Sequence, residues 1–63
     1  MCLSTAYKNN VDENKVLVKN VTSIRVEKDE VILVDLMDRE FRIKGKLEKV
    51  DLLDNLVVVK SED

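Results

Sequence analysis

Short segments in which apolar and polar residues alternate recur along the chain. Ile24 and Val26 alternate with polar neighbours, and Phe41 and Ile43 alternate with charged ones. A period of two places the apolar side chains on one face of a strand. The segments 31–34 and 56–59 are apolar throughout, which indicates strands that are covered on both faces.

Asparagine and aspartate separate these segments, since the chain has one glycine, Gly45, and no proline. Both residue types tolerate left-handed backbone and hydrogen-bond to their own backbone, which favours turns. Such clusters lie at residues 9–10, 12–14, 28–30, 38–39 and 54–55. Residues 46–53 also fit a helical spacing, but a strand is preferred because the neighbouring segments are strands.

The pattern predicts one all-β domain over residues 1–63. We expect a small antiparallel meander of about seven short strands, curled into a barrel, since short connections favour pairing of consecutive strands. The predicted strands are residues 2–8, 15–19, 21–27, 31–37, 39–44, 46–53 and 56–60.

The length of the chain favours a homodimer. A domain of this size buries only about 60% of the surface that its unfolded chain exposes, and small domains usually rely on a disulfide, a metal or a partner. One cysteine cannot form an intrachain disulfide. The two uninterrupted apolar strands predict a second subunit on the face that the core does not cover, although partial exposure of that face is the alternative.

The composition indicates a cytoplasmic protein that does not enter membranes. No apolar run approaches the length of a membrane-spanning helix, and no segment of signal-peptide type opens the chain. A lone reduced cysteine fits the cytoplasm. The 11 basic and 13 acidic residues are interspersed and give a net charge of -2, whereas a nucleic-acid-binding protein is expected to carry a basic face.

The residue types exclude most enzyme classes, and we predict no catalytic residues. Without histidine there is no Ser-His or Cys-His pair, and one glycine cannot make a phosphate-binding loop. Four aspartates could in principle act as acids or bases, but surface and turn positions explain them better. They are Asp35, Asp38, Asp51 and Asp54.

RNA binding by a small barrel is the alternative function. Such proteins stack bases on aromatic side chains, and this chain offers only Tyr7 and Phe41. Phe41 alternates with charged neighbours, which is typical of a core residue, whereas Tyr7 could lie on either face. Nucleic acid is therefore not expected as a partner.

Cys2 is the one side chain equipped for a specific chemistry. A buried apolar role is the ordinary interpretation of a free cysteine. If Met1 is removed, however, the Cys2 amine and thiolate can close a five-membered chelate ring, and the amide nitrogen of Leu3 can add a ligand. Such nitrogen and sulfur donors suit square-planar Ni(II), with copper as the competing metal. One chain supplies two or three ligands, so a dimer could complete four.

The opening Met1-Cys2-Leu3, together with the runs 21–26, 31–35 and 45–59, resembles the CooT family of small nickel-binding proteins. The resemblance covers essentially the whole chain, although only its Met-Cys start is chemically specific. It implies a homodimer that binds nickel through Cys2 at the subunit interface. The founding member serves nickel insertion into carbon monoxide dehydrogenase, and many relatives have carried an RNA-binding label.

Three hypotheses follow from the sequence. The chain is a nickel chaperone or nickel-responsive protein with a nickel enzyme as client, an RNA-binding barrel, or a structural interaction module with an inert cysteine. Nickel titration with and without Cys2 separates the first hypothesis from the others.

Overall fold

The computed structural model describes residues 3–62, which form five strands and one short 3-10 helix. The helix spans Glu13–Lys15, between the first two strands. The strands are β1 (Ser4–Lys8), β2 (Val16–Glu27), β3 (Glu30–Asp35), β4 (Glu40–Asp51) and β5 (Leu56–Ser61).

The five strands join in a closed ring in chain order. Each consecutive pair is antiparallel, whereas β1 and β5 close the ring in parallel, with Ala6 opposite Val57. A ring with an odd number of strands cannot alternate direction throughout, so one parallel pair is required. The all-β prediction and the antiparallel meander are confirmed, whereas the parallel closing pair was not predicted.

The prediction of seven strands is wrong for the part of the chain that the structure describes, because two predicted breaks lie inside long strands. The predicted strands 15–19 and 21–27 fall largely in β2, and the predicted strands 39–44 and 46–53 fall largely in β4. Asn20 has φ 58 and Gly45 has φ 149. A single residue with positive φ bends each strand without ending it, which lets the strand pair with one neighbour before the bend and another after it.

Two strands end earlier than predicted because an aspartate caps the turn that follows. β3 ends at Asp35 rather than at residue 37, and β4 ends at Asp51 rather than at residue 53. The Asp35 carboxylate accepts a hydrogen bond from the amide of Met37 at 2.9 Å. The Asp51 carboxylate accepts one from the amide of Leu53 at 3.0 Å. Aspartate side chains commonly fold the backbone in this way.

The core lies inside the ring and is built from small and β-branched side chains. The alternation in the sequence predicts which side chains point inward, and the structure confirms it for Ile24, Phe41 and Ile43, which pack against the core. The buried members of the core are Ala6, Val18, Val21, Val31, Leu33, Val57 and Val59.

The two uninterrupted apolar strands are already covered within one chain. Ile32 and Val58 lie between inward-facing neighbours and so project from the outer face, yet their exposed fractions are 0% and 5%. Ile32 is flanked by Arg25 and Arg42, and Val58 by Tyr7 and Lys49. The long stems of these neighbours can cover apolar surface while their polar ends stay in water. These two positions therefore need no second subunit as cover.

Between positions 3 and 62, no helix has the length and apolar character needed to cross a membrane.

Candidate metal centre

The chain enters the ring beside the turn that joins β4 and β5. Leu3 directly precedes β1 and is half-buried. Ser4 lies opposite Val21 of β2, and the amide of Thr5 donates a hydrogen bond to the carbonyl oxygen of Asn55 at 3.0 Å. The predicted ligand Cys2 lies outside the described residues. The position of Leu3 places the attachment point of the N-terminal segment between β2 and this turn.

An exposed apolar surface lies on the same turn. Leu52 and Leu53 have exposed fractions of 81% and 89%, although large apolar side chains are usually buried. Hydrogen bonds within the turn stabilise its conformation. The Asp51 carboxylate accepts them from the amides of Leu53 and Asp54 at 3.0 and 2.9 Å. Asn55 adopts φ 55, a conformation that asparagine tolerates. We call Leu52 and Leu53 the leucine turn.

Residues 3–62 contain no group of three or more histidine, cysteine, aspartate or glutamate side chains that could hold a metal ion. Oδ1 of Asp51 already accepts hydrogen bonds from two amides. Cys2 and the Leu3 amide remain the predicted ligands.

Asp35, one of the four aspartates considered for catalysis, is buried and serves a turn. Its carboxylate accepts hydrogen bonds from the amides of Met37 and Arg39, both at 2.9 Å, and from Nε of Arg39 at 2.8 Å. Burial by itself raises the pKa of Asp35, but the hydrogen bonds and charge of Arg39 and the Met37 amide outweigh it and hold the pKa below its ordinary value. A carboxylate so bound is a poor proton carrier, in keeping with the structural role predicted for it.

The sequence profile of one family matches residues 1–60, and that family is described as the CO dehydrogenase accessory protein CooT. The chain belongs to the CooT family. The match extends over the ring from β1 into β5 and includes Cys2. The resemblance inferred from the sequence is thereby confirmed, and CooT is described as an accessory protein rather than as an enzyme.

A solved structure supports the same fold. A crystal structure assigned to CooT from Carboxydothermus hydrogenoformans matches with a TM-score of 0.81 and 21% sequence identity, covering 98% of this chain and 100% of that chain. At this identity the likeness establishes the CooT fold alone. Among curated protein sequences, none matches this chain.

The two aromatic side chains of this CooT member have different roles. Phe41 packs against the core, as predicted, and the guanidinium carbon of Arg39 lies 5.9 Å from its ring centroid. Tyr7 lies opposite Val58 and Val16 on the outer face and is half-buried. The outer face of the described ring thus offers one aromatic side chain to a ligand.

Sequence reasoning missed the leucine turn because it assigned residues 46–53 to one strand. The aspartate at position 51, followed three and four residues later by Asp54 and Asn55, was the available signal that the strand ends before the leucines. It also missed the meeting of Lys46 with Lys60, which are directly opposite across β4 and β5. Nothing in the spacing shows that pairing, because it follows from the register of the CooT ring.

Proposed function

We propose that the chain is a homodimeric nickel-binding accessory protein that uses Cys2 at its dimer interface. Its client would be a nickel enzyme such as CO dehydrogenase, the enzyme in the description of the family. The observation that carries the proposal is the family match over residues 1–60, which includes Cys2.

The donor chemistry of Cys2 supports nickel as the cargo. With Met1 removed, the chain begins with an amine and a thiolate on adjacent atoms, and the next donor is the amide nitrogen of Leu3. Nitrogen and thiolate donors in a plane suit Ni(II). The N-terminal segment of one chain supplies at most three of these donors, and residues 3–62 contain no group of three or more ligating side chains. Two chains that meet at their N-termini would complete four donors.

The leucine turn supports a dimer interface at that same end. Thr5 bonds to Asn55, so the chain enters the ring next to Leu52 and Leu53, which are largely exposed. Burying both leucines against a second copy would remove apolar surface from water and bring two Cys2 residues together. The dimer interface and the metal centre would then be one site.

Nickel titration is the test, performed on protein whose N-terminus is free. We expect thiolate-to-nickel charge-transfer absorption that saturates at about one metal per two chains, as a four-donor site shared by a dimer requires. Binding should strengthen as pH rises, because the thiol, amine and amide must lose protons.

Two variants make the titration decisive. Cys2→Ser replaces the thiol by a hydroxyl that does not ionise at neutral pH, and it should abolish stoichiometric binding. Met37→Leu is the matched control, because it removes an exposed sulfur elsewhere on the chain and should leave binding unchanged. Equal nickel affinity of Cys2→Ser and the parent protein would place the site away from Cys2.

RNA binding receives little support from the placement of the aromatic residues. Phe41 packs in the core and only Tyr7 remains on the outer face of the described residues. Small barrels usually hold single strands by stacking bases on several aromatic side chains. The described outer face offers only one such side chain.

A further inference from the structure

The arginines and the lysines of this chain have different surroundings. Every ion pair in the described residues involves Arg25, Arg39 or Arg42, and these lie on β2, on β4 or in the turn before β4. Between residues 3 and 62, no lysine takes part in an ion pair. The positive charge of the arginines is thus compensated by contact, whereas that of the lysines faces solvent.

Lys46 and Lys60 are directly opposite each other across β4 and β5. Leu47 and Val59, the next pair in the register, pack in the core, so the two lysines project from the outer face, where both are exposed. Like charges directly opposite on one face of a sheet destabilise it. This pair therefore costs the fold free energy that nothing within the described chain offsets by an ion pair.

A third lysine lies on the same face. Lys49 is opposite Val58, whose other neighbour is Tyr7 of β1. β1 and β5 contain no acidic residue. Tyr7 and Val58 therefore form a small apolar centre with lysines beside it. We call Lys46, Lys49 and Lys60 the lysine face.

Acidic residues near the lysine face lie at its margins. Glu48 is the unpaired residue where the register shifts between Leu47 and Lys49. Glu62 borders a shallow hollow of about 290 Å³ that Lys46 and Lys60 also line. Neither glutamate forms an ion pair with a lysine among residues 3–62, so the positive charge of the face remains open to an external partner.

We propose that the lysine face binds an acidic segment of a partner protein. Carboxylates placed between Lys46 and Lys60 would turn a repulsive pair into two attractive contacts, and apolar side chains of the segment could pack on Tyr7. Charge complementarity of this kind steers association and fixes register. The site lies on the ring wall and is independent of the nickel proposal.

An acidic polypeptide fits this surface better than a nucleic acid. Nucleic-acid affinity grows with the number of neutralised phosphates, and the lysine face offers only three lysines beside Glu48 and Glu62. One aromatic side chain offers little stacking.

The test uses the metal-free full chain and two fluorescent probes, an oligoglutamate peptide and an oligouridylate of matched charge. Anisotropy measures affinity, and backbone amide NMR shifts locate the site. We expect the peptide to shift amides of Lys46, Lys49 and Lys60, and its affinity to fall as salt screens the contacts. The double variant Lys46→Glu with Lys60→Glu should weaken binding by about tenfold or more, as loss of paired charges does.

The control makes the same change in net charge elsewhere on the chain. Lys15→Glu with Lys28→Glu changes the 3-10 helix and the β2–β3 turn, where both lysines are exposed, and should leave peptide affinity nearly unchanged. Lys60→Glu alone is the second measurement. It should raise the Tm, because the repulsive pair of Lys46 and Lys60 becomes an attractive pair. It should still weaken peptide binding. A higher Tm together with a lower peptide affinity separates a binding role of Lys60 from a structural one.

Several outcomes would overturn the proposal. These are absence of saturable peptide binding, equal weakening in both double variants, or NMR shifts confined to another face. Tighter binding of the oligouridylate than of the peptide would make the face a nucleic-acid surface. Self-association that is lost with the double variant would assign it to a second copy of the chain.

Discussion

Ile32 of β3 lies directly opposite Arg42 of β4, and Ile32 is fully buried although it projects from the outer face of the ring. Arg42 is held over this position by Glu30 at 3.0 Å and Glu27 at 3.6 Å. Arg25, the other cross-strand neighbour of Ile32, pairs with Glu27 at 3.2 Å. The ion pairs fix the long side chains beside Ile32, and from its burial we infer that their aliphatic stems cover it.

This relationship predicts that the stem of Arg42 matters more than its charge. Arg42→Met keeps apolar cover and loses the ion pairs, which are half-exposed, so we expect a loss of about 0.5 kcal/mol in the free energy of unfolding. Arg42→Ala exposes Ile32 as well and should cost roughly 1–2 kcal/mol. Urea unfolding of the two variants measures the difference. Equal losses would show that the charge alone matters.

Gly45 is predicted to accept no side chain. Its φ is 149, and a Cβ at this position would overlap the carbonyl oxygen of Lys60 and lie 2.9 Å from the Lys60 carbonyl carbon and the Ser61 Cα. These are backbone atoms of a paired strand, so they cannot move aside without disturbing β5. Gly45→Ala should therefore lower the free energy of unfolding by at least about 2 kcal/mol.

Lys44→Ala is the control for that substitution, since Lys44 is the exposed preceding residue and should change stability by less than about 0.5 kcal/mol. Thermal unfolding of both variants would settle the matter. A Gly45→Ala protein as stable as the control would mean that β4 does not bend at this position.

The Asp35 turn predicts a specific acid dependence. Asp35 has a lowered pKa in the folded chain, so its carboxylate contributes stability above the ordinary aspartate pKa of about 4, and this contribution disappears as pH falls through the folded value. Asp35→Asn keeps an acceptor for the amides but loses the charge opposite Arg39. The variant should be less stable than the parent at neutral pH, and the gap should close in acid.

Asp38→Asn is the control for this pH dependence. Asp38 is exposed and has φ 66, a conformation that asparagine also tolerates. At each pH, urea unfolding should give the Asp38→Asn variant the same free energy of unfolding as the parent protein. A gap between Asp35→Asn and the parent that stays constant or widens in acid would contradict the inferred role of the Asp35 charge.

The sequence predicts which side chains face the core better than it predicts where strands end or which residues pair across strands. Alternation identifies Phe41 and Ile43 as inward-facing because a period of two depends only on the strand itself. The predicted strands broke at Asn20 and Gly45, whereas in the structure the long strands β2 and β4 continue through these residues, which have positive φ. Register across strands is not visible locally, so the meeting of Lys46 and Lys60 could not be predicted.

The sequence predicted the donor chemistry of the candidate site but not the exposed leucine turn. Cys2 stands out because it is the one thiol in a chain without histidine, and the family match includes it. The exposure of the leucine turn follows from the side-chain cap at Asp51, a three-dimensional feature. Leu52 and Leu53 therefore looked like strand residues until the turn was in view.

The leucine turn yields the last prediction, which links dimerisation to metal binding. Leu52→Ser combined with Leu53→Ser should leave the monomer folded, because these side chains are 81% and 89% exposed. If they pack against a second copy, dimer affinity should fall by about a hundredfold or more, since burying each leucine contributes roughly 1.5–3 kcal/mol. Sedimentation measures dissociation, and circular dichroism checks the fold.

Leu36→Ser with Met37→Ser is the matched control, because those residues are 58% and 73% exposed on another turn. Nickel binding should weaken with the dimer in the first variant and persist in the second, and nickel should in turn strengthen the parent dimer. Loss of the dimer with nickel affinity intact would show that one chain holds the metal alone.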